Sequence, residues 1–61
     1  MIAKHYNRLI EVLTDQKREC ENLSEQAHQR NDMTHKAFHA GAAAAMQRAI
    51  DYAKDAQAGI L

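Results

Sequence analysis

The sequence predicts an all-α protein: a two-helix antiparallel hairpin that self-associates into a four-helix bundle or a larger helical assembly. Three observations lead to this prediction. The chain contains no proline, and residues with high helix propensity dominate both halves. In the first half, apolar residues recur at alternating spacings of four and three, the pattern of a helix packed along one seam. Near the middle, Asn31 and Asp32 interrupt that pattern with side chains that suit a turn.

The first helix is predicted to run from about residue 2 to residue 30. Its predicted seam consists of Ile2, Tyr6, Leu9, Leu13, Gln16, Cys20, Leu23, Ala27 and Arg30. Ile10 and Val12 widen the apolar face near the amino terminus, whereas the seam from Gln16 onward holds fewer large apolar side chains. The amino-terminal half of this helix is therefore its more apolar half.

The chain is predicted to fold back near residues 31–32 and to continue as a second helix over about residues 33–58, so that residues 1–61 form a single helical hairpin. Asparagine tolerates the left-handed conformation that ends a helix, and aspartate is a favourable N-cap for the next one. Gly59 stands at a position suited to a C-terminal cap. We therefore expect two helices of similar length.

Small residues spaced by four mark one face of the second helix. They are Ala37, Gly41, Ala45, Ala49 and Ala53, and a row of larger residues runs beside them through Phe38, Ala42, Met46 and Ile50. Small side chains let two helix backbones approach closely, so we expect these rows to face the first helix. The predicted helix–helix core is Cys20, Leu23, Phe38, Gly41, Ala45, Met46, Ala49 and Ala53.

The open end of the hairpin, opposite the turn, is predicted to join copies of the chain. More apolar surface collects there than two helices can cover for each other, and an exposed patch of that kind marks an interface. The predicted oligomer interface is Ile2, Tyr6, Leu9, Ile10, Leu13, Ile50, Tyr52 and Ile60. We therefore expect a homo-oligomer, a dimer or higher; two hairpins would form a four-helix bundle.

Charge and cysteine content restrict the class of protein. Eight basic residues balance eight acidic residues, so the chain lacks the global field of nucleic-acid packers or membrane-surface binders. The single Cys20 cannot form an intrachain disulfide and suits a reducing compartment. Glu11 and Asp15 interrupt the amino-terminal apolar stretch, and the uncharged run over residues 37–47 is too short to cross a bilayer. We expect a cytoplasmic protein without a membrane partner.

A polar, potentially basic cluster is predicted around the turn, where His28 and Arg30 close the first helix and His35, Lys36 and His39 open the second. Free amide groups and the positive dipole end at the start of a helix attract anions. The candidate anion-binding residues are Arg30, Lys36, His35 and His39. An aspartate in the cap counts against such a site.

The same cluster contains the residues nearest to a metal site. His35 and His39 lie at i and i+4 on one helical face, and His28 or Asp32 would complete the ligand set across the turn. Two histidines at this spacing also occur by chance on solvated faces. We therefore predict neither a metal site nor a cofactor, and name His28, His35 and His39 as the candidates to examine.

Basic side chains on the first helix do not form a nucleic-acid-binding stripe. Lys4, His5 and Arg8 lie near one another, but acidic residues interleave along the rest of the helix, so phosphate neutralisation would be poor. In size and layout the hairpin resembles the small plasmid-encoded RNA-binding regulators that dimerise as helical hairpin bundles. No motif aligns with them residue by residue, and no residue role is transferred.

The sequence contains no constellation of residues that indicates catalysis, since Cys20 falls on the predicted seam with no base placed to activate it. Our leading hypothesis is a small non-enzymatic, self-assembling interaction protein that acts as a regulator or inhibitor by binding a partner macromolecule, most simply another protein. The alternative is an oligomeric ligand-binding protein that sequesters a small anionic molecule such as a nucleotide. Short chains of this kind are common among phage and mobile-element proteins.

Overall fold

The computed structural model describes residues 2–59, with side chains from residue 5 onward, as two helices packed against each other. Helix α1 spans Ile2–Gln29 and helix α2 spans Met33–Gln57. The hairpin measures 45 × 17 × 9 Å along its principal axes. The predicted all-α class and the packing of two helices are confirmed. Each helix ends one residue earlier than the predicted boundary.

Helix α1 ends in a Schellman motif centred on Asn31, which adopts the left-handed conformation with φ of 59°. The backbone N–H of Asn31 donates to the carbonyl of His28 at 3.0 Å, and the N–H of Asp32 donates to the carbonyl of Ala27 at 2.8 Å. These two bonds satisfy carbonyl groups that the end of a helix would otherwise leave without partners. The chain thus reverses its direction at Asn31 and Asp32.

Asp32 also begins helix α2. Its carbonyl accepts the first helical bond, from the N–H of Lys36 at 3.0 Å, and its carboxylate accepts from the N–H of His35 at 3.1 Å. The side chain therefore caps the amide groups at the start of the helix. One residue serves both helices, because the same Asp32 donates its own N–H to the end of α1.

The core between the helices is thin and made mostly of small side chains. The buried side chains among those described are Ala27, Ala43, Ile50 and Ala53, which are at most 7% exposed. Around them, half-buried and buried residues follow the spacing of four and three on both helices. This observed seam consists of Tyr6, Ile10, Leu13, Lys17, Cys20, Ser24 and Ala27 on α1, and His39, Ala43, Met46, Ile50 and Ala53 on α2.

The observed seam on α1 corrects the predicted one. The two share four positions, but Ile10, Lys17 and Ser24 take the places predicted for Leu9, Gln16 and Leu23. Leu9 is 44% exposed and Leu23 is 37% exposed. The apolar sector of α1 is wider than one neighbouring helix can cover, and α2 packs against one side of it.

Two polar residues, Lys17 and Ser24, can lie in the seam of α1 because each has a hydrogen-bond partner on α2. Lys17 Nζ donates to Gln47 Oε1 at 2.6 Å, and Ser24 Oγ donates to the carbonyl of Lys36 at 3.1 Å. A half-buried polar group without a partner would cost free energy, whereas these two groups find partners on the opposite helix.

The predicted core on α2 is corrected as well. Phe38 is 69% exposed, and Gly41 and Ala45 are also exposed. A Cβ added at Gly41 would meet nothing within 4 Å, so no close backbone approach occurs there. A row spaced strictly by four drifts around a helix of 3.6 residues per turn, so it cannot face one partner along its whole length. Met46 and Ala49 are half-buried and Ala53 is buried.

We predict that Asn31→Ala destabilises the hairpin by about 1 kcal/mol, because a residue with a Cβ and no locally bonding side chain is unfavourable in the left-handed region. Asn31→Gly is the matched control, since glycine adopts this conformation readily. Urea unfolding at a fixed protein concentration measures the difference. Equal losses in both variants would show that the left-handed turn is not what the substitution disturbs.

Candidate interaction surface

Polar side chains bridge the two helices along one side of the seam, which we call the polar flank. Its bridges join Asn7 to Gln57, Lys17 to Gln47, Ser24 to the carbonyl of Lys36, and His28 to Lys36. Part of this flank forms a groove of about 390 Å³ lined by Lys17, Glu21, Ser24, Glu25, Ala40, Ala43, Ala44 and Gln47. Its charged lining residues are one lysine, Lys17, and two glutamates, Glu21 and Glu25.

The opposite side of the seam is apolar. At the open end it forms a groove of about 490 Å³ lined by Tyr6, Leu9, Leu13, Ala49, Tyr52, Ala53 and Ala56. Tyr52 is 64% exposed. Phe38 lies two heptads before Tyr52, and Leu23 lies two heptads after Leu9, so both continue the same side toward the turn. We call the apolar flank Tyr6, Leu9, Leu13, Leu23, Phe38, Ala42, Ala45, Ala49, Tyr52 and Ala56.

The two flanks differ in what holds the helices together. Along the polar flank, side chains of one helix bond to the other. Along the apolar flank, large side chains stay in contact with water; Phe38, Tyr52 and Leu9 are each at least 44% exposed. Gln16 interrupts this flank between Leu9 and Leu23 on α1. Exposed apolar surface of this kind marks an interaction site, since its transfer out of water is favourable by about 25 cal/mol per Å².

The residues predicted for the oligomer interface divide between the flank and the seam. Tyr6, Leu9, Leu13 and Tyr52 line the open-end groove. Ile50 is instead buried between the helices at 4% exposure, and Ile10 is half-buried in the same seam. Ile50 is therefore already covered within one hairpin, which corrects its assignment, whereas Ile10, like Tyr6 and Leu13, is only half-buried there. The side chain of Ile2, and Ile60 as a whole, lie outside the described residues.

The side chains around the turn bond to one another. His35 Nδ1 lies 2.6 Å from Asp32 Oδ2, and Arg30 Nη2 lies 4.0 Å from the same oxygen. On the other side, Lys36 Nζ lies 3.0 Å from His28 Nδ1. The cluster predicted from the sequence therefore exists, but its basic groups face protein partners.

The start of α2 already holds a carboxylate. Asp32 accepts the amide hydrogen that a bound anion would take, and its negative charge lies at the positive end of the helix dipole. His39 lies apart from this point, in the seam, with its ring 5.3 Å from that of Phe38 and 6.4 Å from that of His35. The four predicted anion-binding side chains do not surround one common point.

The histidines named as candidate metal ligands also make contacts with other side chains. Within residues 5–59, no group of three or more histidine, cysteine or acidic side chains is arranged to hold a metal ion. His35 pairs with Asp32, and His28 lies against Lys36. The described side chains thus offer no set of three ligands from His28, His35 and His39.

The interhelical bridges were not anticipated from the sequence. Ile10, Lys17 and Ser24 share one heptad position, and this repeat was the available signal. A lysine and a serine at this position do not look like seam residues in the sequence, but both side chains reach partners on α2.

We predict that Asp32 makes stability sensitive to acid. The hydrogen bond from the His35 backbone N–H holds the pKa of the Asp32 carboxyl below its ordinary value of 3.8, with help from the His35 imidazole and the Arg30 guanidinium. A pKa lowered by folding contributes stability that is complete above the unfolded-state value and is lost as pH falls through the folded-state value. The loss is therefore expected below pH 3.8.

Thermal unfolding of the wild type and Asp32→Asn, recorded from about pH 6 to about pH 2, isolates this contribution because asparagine also caps helices but does not titrate. The wild type should lose more stability than the variant over the acidic part of the range. Parallel curves would show that the charge of Asp32 does not support the cap.

Neither helix, over the part of the chain described, has a stretch that is long and apolar enough to cross a lipid bilayer. Comparisons with protein-family models, curated proteins and solved structures found no match to this chain.

Proposed function

We propose that this chain is a non-enzymatic, self-assembling helical protein that acts as a regulator or inhibitor by binding a partner macromolecule. The observation that carries the proposal is the apolar flank, where Leu9, Phe38 and Tyr52 are 44%, 69% and 64% exposed. In this proposal a second copy of the chain covers that flank.

The small core of one hairpin supports self-assembly. Burying an isoleucine such as Ile50 contributes about 1.5–3 kcal/mol, and alanines contribute less, whereas ordering each residue's backbone costs about 1–2 kcal/mol. Two helices with this core are therefore a marginal unit. A dimer of hairpins would form a four-helix bundle, in which each helix buries a second stripe of side chains.

The dimensions and the charge suit a second copy as the occupant. The hairpin measures 45 by 17 Å along its two longer axes, so one whole broad face offers an area close to the roughly 800 Å² per partner of a stable protein interface. The formal net charge is zero, so two copies would approach without net electrostatic repulsion. Every copy carries the same unpartnered surface, so association satisfies both at once.

The polar flank would remain on the outside of such an assembly and is the surface we assign to the partner. Its groove combines Lys17 with Glu21 and Glu25 over a floor of alanines. Mixed charge of this kind suits a protein surface. It does not suit nucleic acid, whose phosphates require clustered positive charge.

We predict that Leu9→Gln combined with Tyr52→Gln weakens self-association by at least about tenfold, because both side chains line the open-end groove. Sedimentation velocity over a concentration series measures the change. Native mass spectrometry of the wild type, taken directly from expressing cells, gives the subunit count.

Met33→Gln is the matched control. Met33 is 51% exposed but lies two heptads before Gln47, on the polar flank, so its loss should leave association unchanged. A wild-type monomer at tens of micromolar would refute self-assembly. A stoichiometric nucleotide in the native mass spectrum would instead support sequestration of a small anion.

A further inference from the structure

The part of α2 that lies on the apolar flank has a symmetric arrangement of side chains. Phe38 and Tyr52 stand at equal distances in sequence before and after Ala45, and Ala42 and Ala49 lie between each aromatic residue and that centre. Both aromatic side chains are more than 60% exposed. In order of residue type the stripe therefore reads alike in both directions: aromatic, small, small, small, aromatic. Its inner alanines are nearly symmetric, since Ala42 lies three residues before Ala45 and Ala49 lies four after it.

A stripe of this symmetry can pack against itself when two copies run antiparallel. A two-fold axis perpendicular to the helices brings residues equally distant from the axis into contact across the interface. With the axis at Ala45, Phe38 of one copy meets Tyr52 of the other, and Ala45 meets its own counterpart. We propose that two hairpins dock in this way, α2 against α2, with Phe38 of each copy seated in the open-end groove of the other.

This inference rests on the proposed function, because it specifies the geometry of the self-association. Phe38 and Tyr52 are separated by about 21 Å along the helix, at about 1.5 Å per residue, so Phe38 cannot reach the groove of its own chain. The groove is lined almost entirely by apolar side chains and is open at the surface. An aromatic side chain from a second copy has the chemistry to fill it.

The distribution of bulk along the flank favours the antiparallel arrangement. Four large apolar side chains of the flank lie at the open end, Tyr6, Leu9, Leu13 and Tyr52, whereas two lie toward the turn, Leu23 and Phe38. Antiparallel docking sets the more apolar end of each copy against the less apolar end of the other, which spreads apolar contacts along the interface.

The centre of the stripe is suited to a close crossing. Ala42, Ala45 and Ala49 present only methyl groups, so two α2 helices can approach near the lower end of the 8–10 Å range for packed helices.

Disulfide trapping tests the position of the axis. In a Cys20→Ser background, Ala45→Cys should form an intermolecular disulfide under mild oxidation, because a residue on the axis approaches its counterpart within the roughly 4.4–6.8 Å between Cα atoms that a disulfide requires. Ala56→Cys in the same background is the control. It lies far from the axis and should not cross-link to its counterpart.

The outcomes separate this inference from the proposed function. A dimer in sedimentation that fails to trap through Ala45→Cys, or that traps through Ala56→Cys, would overturn the antiparallel arrangement and leave self-assembly intact. A monomer would overturn both. As a second measure that does not depend on cysteine, Phe38→Ala should weaken association by at least about tenfold, and unchanged association would remove Phe38 from the interface.

Discussion

The hydrogen bond from the Asp32 N–H to the Ala27 carbonyl, at 2.8 Å, joins the end of one helix to the start of the other, and the arrangement of the hairpin depends on it. Because Asp32 belongs to both caps, the two helices begin and end at a common point. Three of the four bridges along the polar flank accordingly join residues equidistant from Asp32 in sequence: His28 with Lys36, Lys17 with Gln47, and Asn7 with Gln57. The turn sets the register that these side chains then secure.

That register places some large apolar side chains between the helices and leaves others exposed. Ile50 and Ile10 pack in the seam, where they hold the hairpin together. Leu9, Phe38 and Tyr52 remain at the surface, because a second helix placed against one side of an apolar sector cannot also cover the other side. A hairpin whose core is mostly alanine thus leaves large apolar side chains exposed.

The polar flank and the apolar flank have complementary roles in this scheme. The bond from Lys17 to Gln47 spans the seam at half-buried positions, where a polar pair favours one register and one orientation over others at little net gain in stability. At the turn, the Arg30 guanidinium and the His35 ring both lie against the Asp32 carboxylate. Specific bonding on one side leaves the opposite side as the surface with unused apolar area.

The sequence by itself determined the helices and the turn. These depend on local chemistry: high helix propensity, an asparagine able to adopt φ of 59°, and an aspartate able to cap the following amides. Only the tertiary structure decided which of two overlapping seams on α1 faces α2, because Tyr6, Leu13, Cys20 and Ala27 belong to both. In the observed seam, Lys17 bonds to Gln47 and Ser24 bonds to the carbonyl of Lys36. The spacing of residues along α1 alone does not reveal these partners on α2.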